Sequence, residues 1–345
     1  GSEMCIRDRF FRKDILRYPN LPVIKQSINL GLKNYDLPKI FYDTTPCPNR
    51  QKGGSREAEK LLSTFLNSRG ENYQYEMSSP ISAEKSCSRL STHLTYGTIS
   101  HRSVFQEATQ KKEKIQLTNK NFAKSINSFL SRLHWRSHFI QKLEDQPSIE
   151  HESFIPVYDQ IREKDFRKLD AWIEGKTGVH FIDACMIYLR NHGWINFRMR
   201  AMLASFASYN LWLDWRYFGP RLAALFTDFE PGIHYSQLQM QSGTTGINTI
   251  RMYNPYKQAL DQDPEAKFIK SQLPEYNNFP PSFFFKPPEL SNNENLFNDS
   301  KLETIVDVTK TAKFARDKIF SIRKLPEHQK MAKNVFIRHG SRQNR

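Results

Sequence analysis

The chain has 345 residues, 38% of them hydrophobic, with 51 Lys/Arg against 36 Asp/Glu and a formal net charge of +15. That is apolar material for one large or two ordinary domains, and no run of about 18 apolar residues exists to cross a bilayer. So basic a chain favours polyanions, nucleic acid ahead of acidic membrane. Four scattered cysteines (Cys5, Cys47, Cys87, Cys185) with no CxxC pair give no recognisable zinc, cluster or disulfide framework, so no metal is expected and a reducing cytoplasm suits the chain.

Gly1-Ser2 resembles a cloning scar, residues 3–9 show no pattern, and no signal peptide is visible, so 1–9 are kept out of the fold. Prolines at 19, 22, 38, 46 and 48 break any long helix, which makes 1–52 an arm or linker. From Ser55 the pattern turns helical, with Ala58, Leu61, Leu62, Phe65 and Leu66 on one face and a stop near Gly70. A longer helix is expected from about Asn119 to Leu143, where Phe122, Ile126, Phe129, Leu130 and Leu133 recur at helical steps and Thr118 or Asn119 caps the start. Asp183 is placed to cap a short helix ending at His192-Gly193. The next helix, about Asn196 to Asp214, is apolar almost all round and belongs at the centre.

Alternating strand patterns are nearly absent, so the body is mainly α. Residues 277–298, rich in Pro, Asn and Phe, read as an extended wrap. Residues 301–345 carry 12 Lys/Arg against 4 Asp/Glu, either a solvated helix with a disordered end or a basic tail that touches phosphates. No internal repeat is found.

No GxGxxG follows a strand, so a Rossmann cofactor site is not indicated. Cys87-Ser-Arg-Leu-Ser91 gathers hydroxyls, backbone N–H groups and a guanidinium in five residues, and Trp135-Arg136 adds a second arginine. Such groups suit phosphate oxygens, although Ser-Arg-Leu-Ser also reads as a helix cap.

Five segments taken in order carry a resemblance: Trp172-Ile-Glu-Gly-Lys-Thr-Gly178, Phe181-Ile-Asp-Ala184, Gly193-Trp-Ile-Asn-Phe-Arg-Met-Arg200, Leu213-Asp-Trp-Arg-Tyr-Phe218 and Arg251-Met-Tyr-Asn-Pro255. Together they resemble the flavin-binding half of the photolyase/cryptochrome family. The resemblance covers roughly 53–276 and implies a single large helical FAD-binding domain of that type. The stretch before it is too short for a Rossmann-like antenna domain, and 277–345 is left as an extension with a basic C-terminal segment. FAD, active when reduced, is the implied cofactor, and no antenna chromophore is expected.

By the same resemblance, FAD is held by Tyr75, Ser88, Arg89, Leu90, Ser91, Arg136, Arg200, Asp228 and Glu230. Asp228-Phe-Glu230 stands for the family's Asp-x-Asp element, which puts His234 where a residue faces flavin N5, able to donate a hydrogen bond or shuttle a proton; otherwise it is a surface-loop histidine. A gapless count back from Ser242-Gly243 would shift Asp228 to the second acidic position. The register chosen also matches Leu238-Gln-Met240 to the family's Trp-Gln-Trp.

Damaged DNA is the implied partner, met by Arg132, Trp135, Asn196, Arg198, Met240, Arg251 and Gln258. Trp135 and Met240 stand for the flat walls around an extruded lesion; a Trp on an amphipathic helix is also a common core residue. Arg132 replaces the usual base-bonding carboxylate, and the usual His-Asn-Arg here reads Asn196-Phe197-Arg198. Of the family's three relay tryptophans only the middle one is matched, by Trp215; Leu238 takes the inner site and the outer falls near Arg162. Tyr209, Trp212, Tyr217 and Tyr235 offer another electron route or are packing.

The expected activity is light-driven splitting of cyclobutane pyrimidine dimers by a cytoplasmic, monomeric lyase that prefers single-stranded DNA. A (6-4) product is the less favoured lesion. The alternatives are a cryptochrome-like photoreceptor that binds FAD without repair, and a basic helical nucleic-acid-binding protein without flavin.

Overall fold

The computed structural model describes residues 11, 13–14, 46–287 and 304–339, and these are helical with no sheet, apart from one isolated bridge between Glu163 and Leu213. Helix α1 (Ser55–Thr64) runs into one wide π turn at Phe65–Arg69 and ends on Gly70. Helix α2 (His101–Ile115) packs on the long α3 (Lys120–Asp145), and Asn119 caps α3 by accepting from the Phe122 N–H at 3.0 Å. The apolar stripe read from the sequence is what α3 buries: Phe122, Ile126, Phe129, Leu130 and Leu133 join Leu62, Phe65, Val104 and Ala108 in one cluster. Burying a side chain of this size stabilises by about 1.5–3 kcal/mol.

A second, larger core follows. Helices α4 (Phe166–Glu174) and α5 (His180–His192) each end on a left-handed glycine, Gly175 and Gly193. Asp183 does not cap α5. Val179 occupies that place, and the buried Asp183 carboxylate reaches back to accept from Thr177 N–H, Thr177 Oγ1 and Gly178 N–H at 2.6–2.8 Å. It pins the loop before the helix instead of the helix's own first turn.

The expected continuous helix from Asn196 to Asp214 is α6 (Phe197–Ser205) followed by a π turn at Phe206–Asn210, all of it central and mostly buried. Helices α7 (Trp215–Ala223) and α8 (Pro231–Ser242) complete this layer, and α8 lies along α3. The approach is close because residue 232 is Gly: an added Cβ would lie 2.6 Å from the Ile140 Cα.

Helices α9 (Pro255–Gln262) and α10 (Lys267–Gln272) pack on α5, and the aromatic residues Tyr276, Phe283 and Phe284 close around the His180 ring. Past 287 the expected wrap lies outside the described residues until 304. The basic C-terminal segment then forms α11 (Val308–Arg323) and α12 (Pro326–His339), whose inner faces (Ala315, Ile319, Val335) pack on Ile149, Ile155, Tyr158 and Tyr209. They are part of the folded body, not merely a solvated tail.

Most of the N-terminal arm, including 1–9, lies outside the described residues. Phe11 is buried against Phe105, with stacked rings 4.2 Å apart, and the Gln106 side chain donates to the Phe11 and Lys13 carbonyls.

Candidate functional site

Helix α3, the Arg200 side chain of α6 and the entry to α8 converge with the short helix Ser91–Thr95. Arg200, on α6, donates from Nη2 to Asp228 Oδ2 at 2.7 Å and from Nε to the Ile195 carbonyl at 2.8 Å, and its guanidinium lies 4.1 Å from the Phe226 ring. The Asp228 side chain is almost fully buried, yet Oδ1 has no hydrogen-bond partner among the described residues. An anionic oxygen in that condition costs free energy unless a bound group donates to it.

Arg136, on α3, pairs with Glu230 at 3.0 Å and donates to the Leu94 carbonyl at 3.4 Å. One guanidinium thus ties α3, the short helix Ser91–Thr95 and the entry to α8. The same short helix is stitched to the acidic element by Thr92 Oγ1 against Thr227 Oγ1 at 3.3 Å, and by Thr95 Oγ1 against the Asp228 carbonyl at 3.5 Å. The short helix Ser91–Thr95 and the Asp228-Phe-Glu230 element therefore lie against each other.

The way residues 85–91 are held was not legible in the sequence. Arg69 donates to the carbonyls of Lys85 and Cys87, both at 2.7 Å, of Leu61 at 3.0 Å and of Ser88 at 3.4 Å. Arg69 thus fixes the backbone leading into Ser88–Ser91, where the Leu90 N–H donates to Ser88 Oγ at 3.4 Å. Arg89 sits at φ +62, the left-handed turn that reverses the chain here. Its guanidinium lies 3.8 Å from the Trp194 ring, with Nε on Gln51 at 3.3 Å, while Nη1 is buried without a partner among the described residues. Leu90 is buried core. Burial pushes the Cys87 thiol up to about 12, so it stays neutral and adds no negative charge beside a phosphate. Tyr75 is exposed on the short helix Tyr73–Glu76.

His234 is no surface-loop histidine. It lies in α8, with the rings of Phe229 and Tyr235 at 5.3 and 5.2 Å, and Nε2 sits 2.9 Å from the Gly219 carbonyl. Burial lowers its pKa to about 4, so the ring is neutral near pH 7, with the proton on Nε2 given to Gly219. What remains is an acceptor, Nδ1. That departs from the expected donor or shuttle, because the carbonyl has fixed the tautomer.

Of the expected relay residues, Trp215 is buried, donates to Ser153 Oγ at 3.0 Å and stands 6.2 Å from the Tyr235 ring. Leu238 fills the space over Gly219. Arg162 is wholly inside, donating to the Ser208 and Ser242 carbonyls at 3.0 and 2.7 Å, with Trp212 at 4.9 Å and Tyr209 at 5.8 Å from its guanidinium. A fixed cation beside Trp212 and Tyr209 disfavours positive charge on those rings. Tyr217 carries Lys164 on its ring at 4.2 Å.

The expected substrate residues divide. Trp135 is 47% exposed, a surface ring and not a core residue, and Arg132 lies over it at 4.4 Å. Met240 is half-buried near the end of α8. Arg198 donates to Gln258 Oε1 at 3.4 Å, bringing those two together, and Arg251 is exposed. Asn196 is buried, its amide donating to the Met77 and Ser78 carbonyls at 3.1 and 2.8 Å, which makes it a clamp on that loop instead of a base reader. Among the described residues no group of His, Cys, Asp and Glu is arranged to hold a metal, and no helix is long and apolar enough to cross a membrane.

Comparison with known proteins bears on the same residues. A family model described as the FAD binding domain of DNA photolyase matches residues 129–321. The deoxyribodipyrimidine photo-lyase of Halobacterium salinarum is 30% identical over 269 residues, which is 73% of this chain and 55% of that protein. An archaeal photolyase structure from Sulfolobus tokodaii, described with two FAD molecules, superposes with a TM-score of 0.64 at 29% identity, covering 79% of this chain and 57% of that one. The Synechocystis cryptochrome shares the fold, with a TM-score of 0.70 at 21% identity over 80% of this chain and 58% of that one. The chain spans about half the length of the curated relatives it matches.

Proposed function

This chain belongs to the photolyase/cryptochrome family, and we propose that it is a light-dependent DNA repair lyase that splits cyclobutane pyrimidine dimers, with single-stranded DNA its preferred substrate. The observation that carries the reading is the convergence of the Arg200–Asp228 and Arg136–Glu230 pairs on the short helix Ser91–Thr95, through Thr92, Thr95 and Leu94, directly after Ser88-Arg-Leu. The residues present fit FAD: Asp228 Oδ1 is buried with no partner among the described residues, the Arg200 cation stands beside it, and the Ser88 and Ser91 hydroxyls lie on the segment that Arg69 holds. Ser88, Ser91 and their backbone N–H groups would hold the pyrophosphate, while Arg200, Asp228 and His234 would meet the ring system.

When bound and reduced, FAD supplies a light-absorbing electron donor. Arg200 places positive charge where a reduced, anionic ring needs it, and Asp228 keeps that guanidinium oriented. His234, neutral and fixed on Gly219, offers an acceptor without adding charge. Trp215 and Tyr235 form the ring pair best placed to pass an electron inward, since the cation of Arg162 disfavours the Trp212–Tyr209 side. Trp135 offers a flat exposed face to an extruded base, and Arg198, Arg251 and Gln258 offer polar contacts to its strand. With Met240 in place of a second indole, less stacking energy is available to offset base extrusion, which favours substrates already unpaired.

Arg132 supports a second reading. Where a base-bonding carboxylate is usual, this cation lies on Trp135, so a photoreceptor that binds FAD without repair is the rival. Illuminating the FAD-reduced protein with dimer-bearing oligothymidylate separates the two. Repair returns the ultraviolet absorbance of intact thymine, more readily on single strands than on duplex; binding without that return leaves the sensor reading.

A further inference from the structure

Away from the flavin-facing residues, loop 247–252 and α11 enclose an open depression of about 400 Å³, lined by Ile247, Ile250, Met252, Arg316, Phe320 and Arg323 among others. Its two walls are tied together: Arg323 Nη2 donates to the Asn248 carbonyl at 2.7 Å, and Asn248 Oδ1 accepts from Thr245 Oγ1 at 2.7 Å. Gly246 sits at φ +71 with Ile155 Cδ1 only 2.0 Å from where a Cβ would be, so the turn that presents this loop is fixed by close packing. Within the depression Phe320 is 48% exposed. Arg316, one turn earlier on the same face of α11, is exposed and pairs with no carboxylate among the described residues.

An exposed ring beside an unpaired guanidinium, above a floor that mixes apolar side chains with Asn248 and Thr249, is the combination that takes one base and its phosphate. The ring stacks the base, the guanidinium meets the anion, and the space falls within the range of small-ligand pockets. The floor also points to a strand and not a free nucleotide. Ile250 and Met252 flank Arg251, which is exposed on the surface assigned above to the DNA strand. The excess of positive charge in 301–345, 12 Lys/Arg against 4 Asp/Glu, favours a strand that leaves Arg251 toward this helix.

We infer that this depression is a second nucleic-acid subsite, which holds a nucleotide of the single strand flanking the lesion, with Phe320 as the stacking platform and Arg316 as the phosphate contact. The inference rests on the DNA-repair reading, deepening it by naming where the flanking strand lies. It gives the C-terminal helices a role in substrate length and salt dependence that the flavin cradle does not supply.

The test compares binding of two dimer-bearing oligothymidylates to the full chain by fluorescence anisotropy, one ending close to the dimer and one extended on both sides. Phe320→Ala and Arg316→Gln should each weaken the extended oligonucleotide about fivefold or more, the loss of one stacked base or one phosphate contact, and leave the short one unchanged. Arg316→Gln should also reduce the slope of log affinity against log salt by about one for the extended strand alone. Both side chains are exposed, so flavin content and melting temperature serve as folding controls. Equal affinities of wild type and variants for the extended strand overturn the subsite while leaving the repair reading intact, provided the wild type binds both oligonucleotides. A wild type that binds neither overturns both. A shift in the variants' elution volume with DNA affinity unchanged assigns the depression to a second copy of the chain and overturns the proposal.

Discussion

Arg200 and Asp228 form a half-satisfied pair: Nη2 lies 2.7 Å from Oδ2, while the other carboxylate oxygen is buried with no partner among the described residues. A pair left in that state is poised for a ligand that donates to Oδ1. Asp228→Asn, which keeps the shape and removes the charge, should lower FAD affinity by about tenfold or more, roughly 1.4 kcal/mol. Asp228→Ala should in addition reduce folding stability by about 1–3 kcal/mol, since Arg200 then loses its partner. Flavin titration and urea unfolding read the two effects. FAD affinity unchanged in both variants would contradict the role given to the pair.

Arg69 touches no expected ligand atom, yet it holds the carbonyls of Lys85, Cys87 and Ser88. As a positioning residue it should act on the pyrophosphate and not on the ring. Arg69→Ala is expected to weaken FAD about tenfold while changing riboflavin affinity little, and Arg69→Lys, with a single point of donation, should recover only part of the loss. Equal weakening of FAD and riboflavin would mean that Arg69 merely supports the fold.

Trp135 is half out of the protein, so removing it should not disturb packing. Trp135→Ala should leave the flavin spectrum and melting temperature alone while weakening dimer-bearing DNA by about 1–3 kcal/mol, the worth of one stacked base. Lost flavin in that variant would move Trp135 from the substrate wall into the support of the cofactor.

The pH dependence of stability follows from a group held neutral. Burial depresses the His234 pKa from 6.5 to about 4. Above the upper value neither folded nor unfolded chain binds this proton. Between the two the unfolded chain binds it and the folded chain does not, so stability falls as pH drops through that window. His101, His180 and His339 are lowered to about 4 as well, mainly by burial, and add to the same trend. Urea midpoints should therefore decline from pH 6.5 toward pH 4, and His234→Gln should flatten the decline. An unchanged slope in that variant would place the protonation elsewhere.

How much of this was readable in the chain depends on how local each cause is. The α3 helix was legible because its cap and its stripe lie within a few residues of one another, Asn119 on Phe122 and then Phe122 through Leu133. The two π turns were not, since an apolar run such as 196–214 has the same periodicity with or without a widened turn, and packing against neighbours decides it. Asp183 was misread for a similar reason: a carboxylate near a helix start looks like a cap, whereas its three donors lie in the loop behind it.

Within the candidate site, the residues tied to a motif came together, Arg136 with Glu230 across 94 positions and Arg200 with Asp228 across 28. Those whose work is to hold backbone, Arg69 and Arg162, have no pattern around them and emerged only with the fold. Side-chain direction was likewise beyond the sequence. Arg89 turned to Trp194, Asn196 to the Met77 loop and His234 to Gly219, each drawn by a partner far off in the chain.

The most direct test of the flavin cradle is the FAD content of the purified chain, after reconstitution with excess FAD and gel filtration, beside Asp228→Ala. Equimolar FAD in the wild type, released only on denaturation and largely lost from the variant, is the predicted result. A colourless wild type that retains no FAD, or a variant that holds as much as the wild type, would contradict the account.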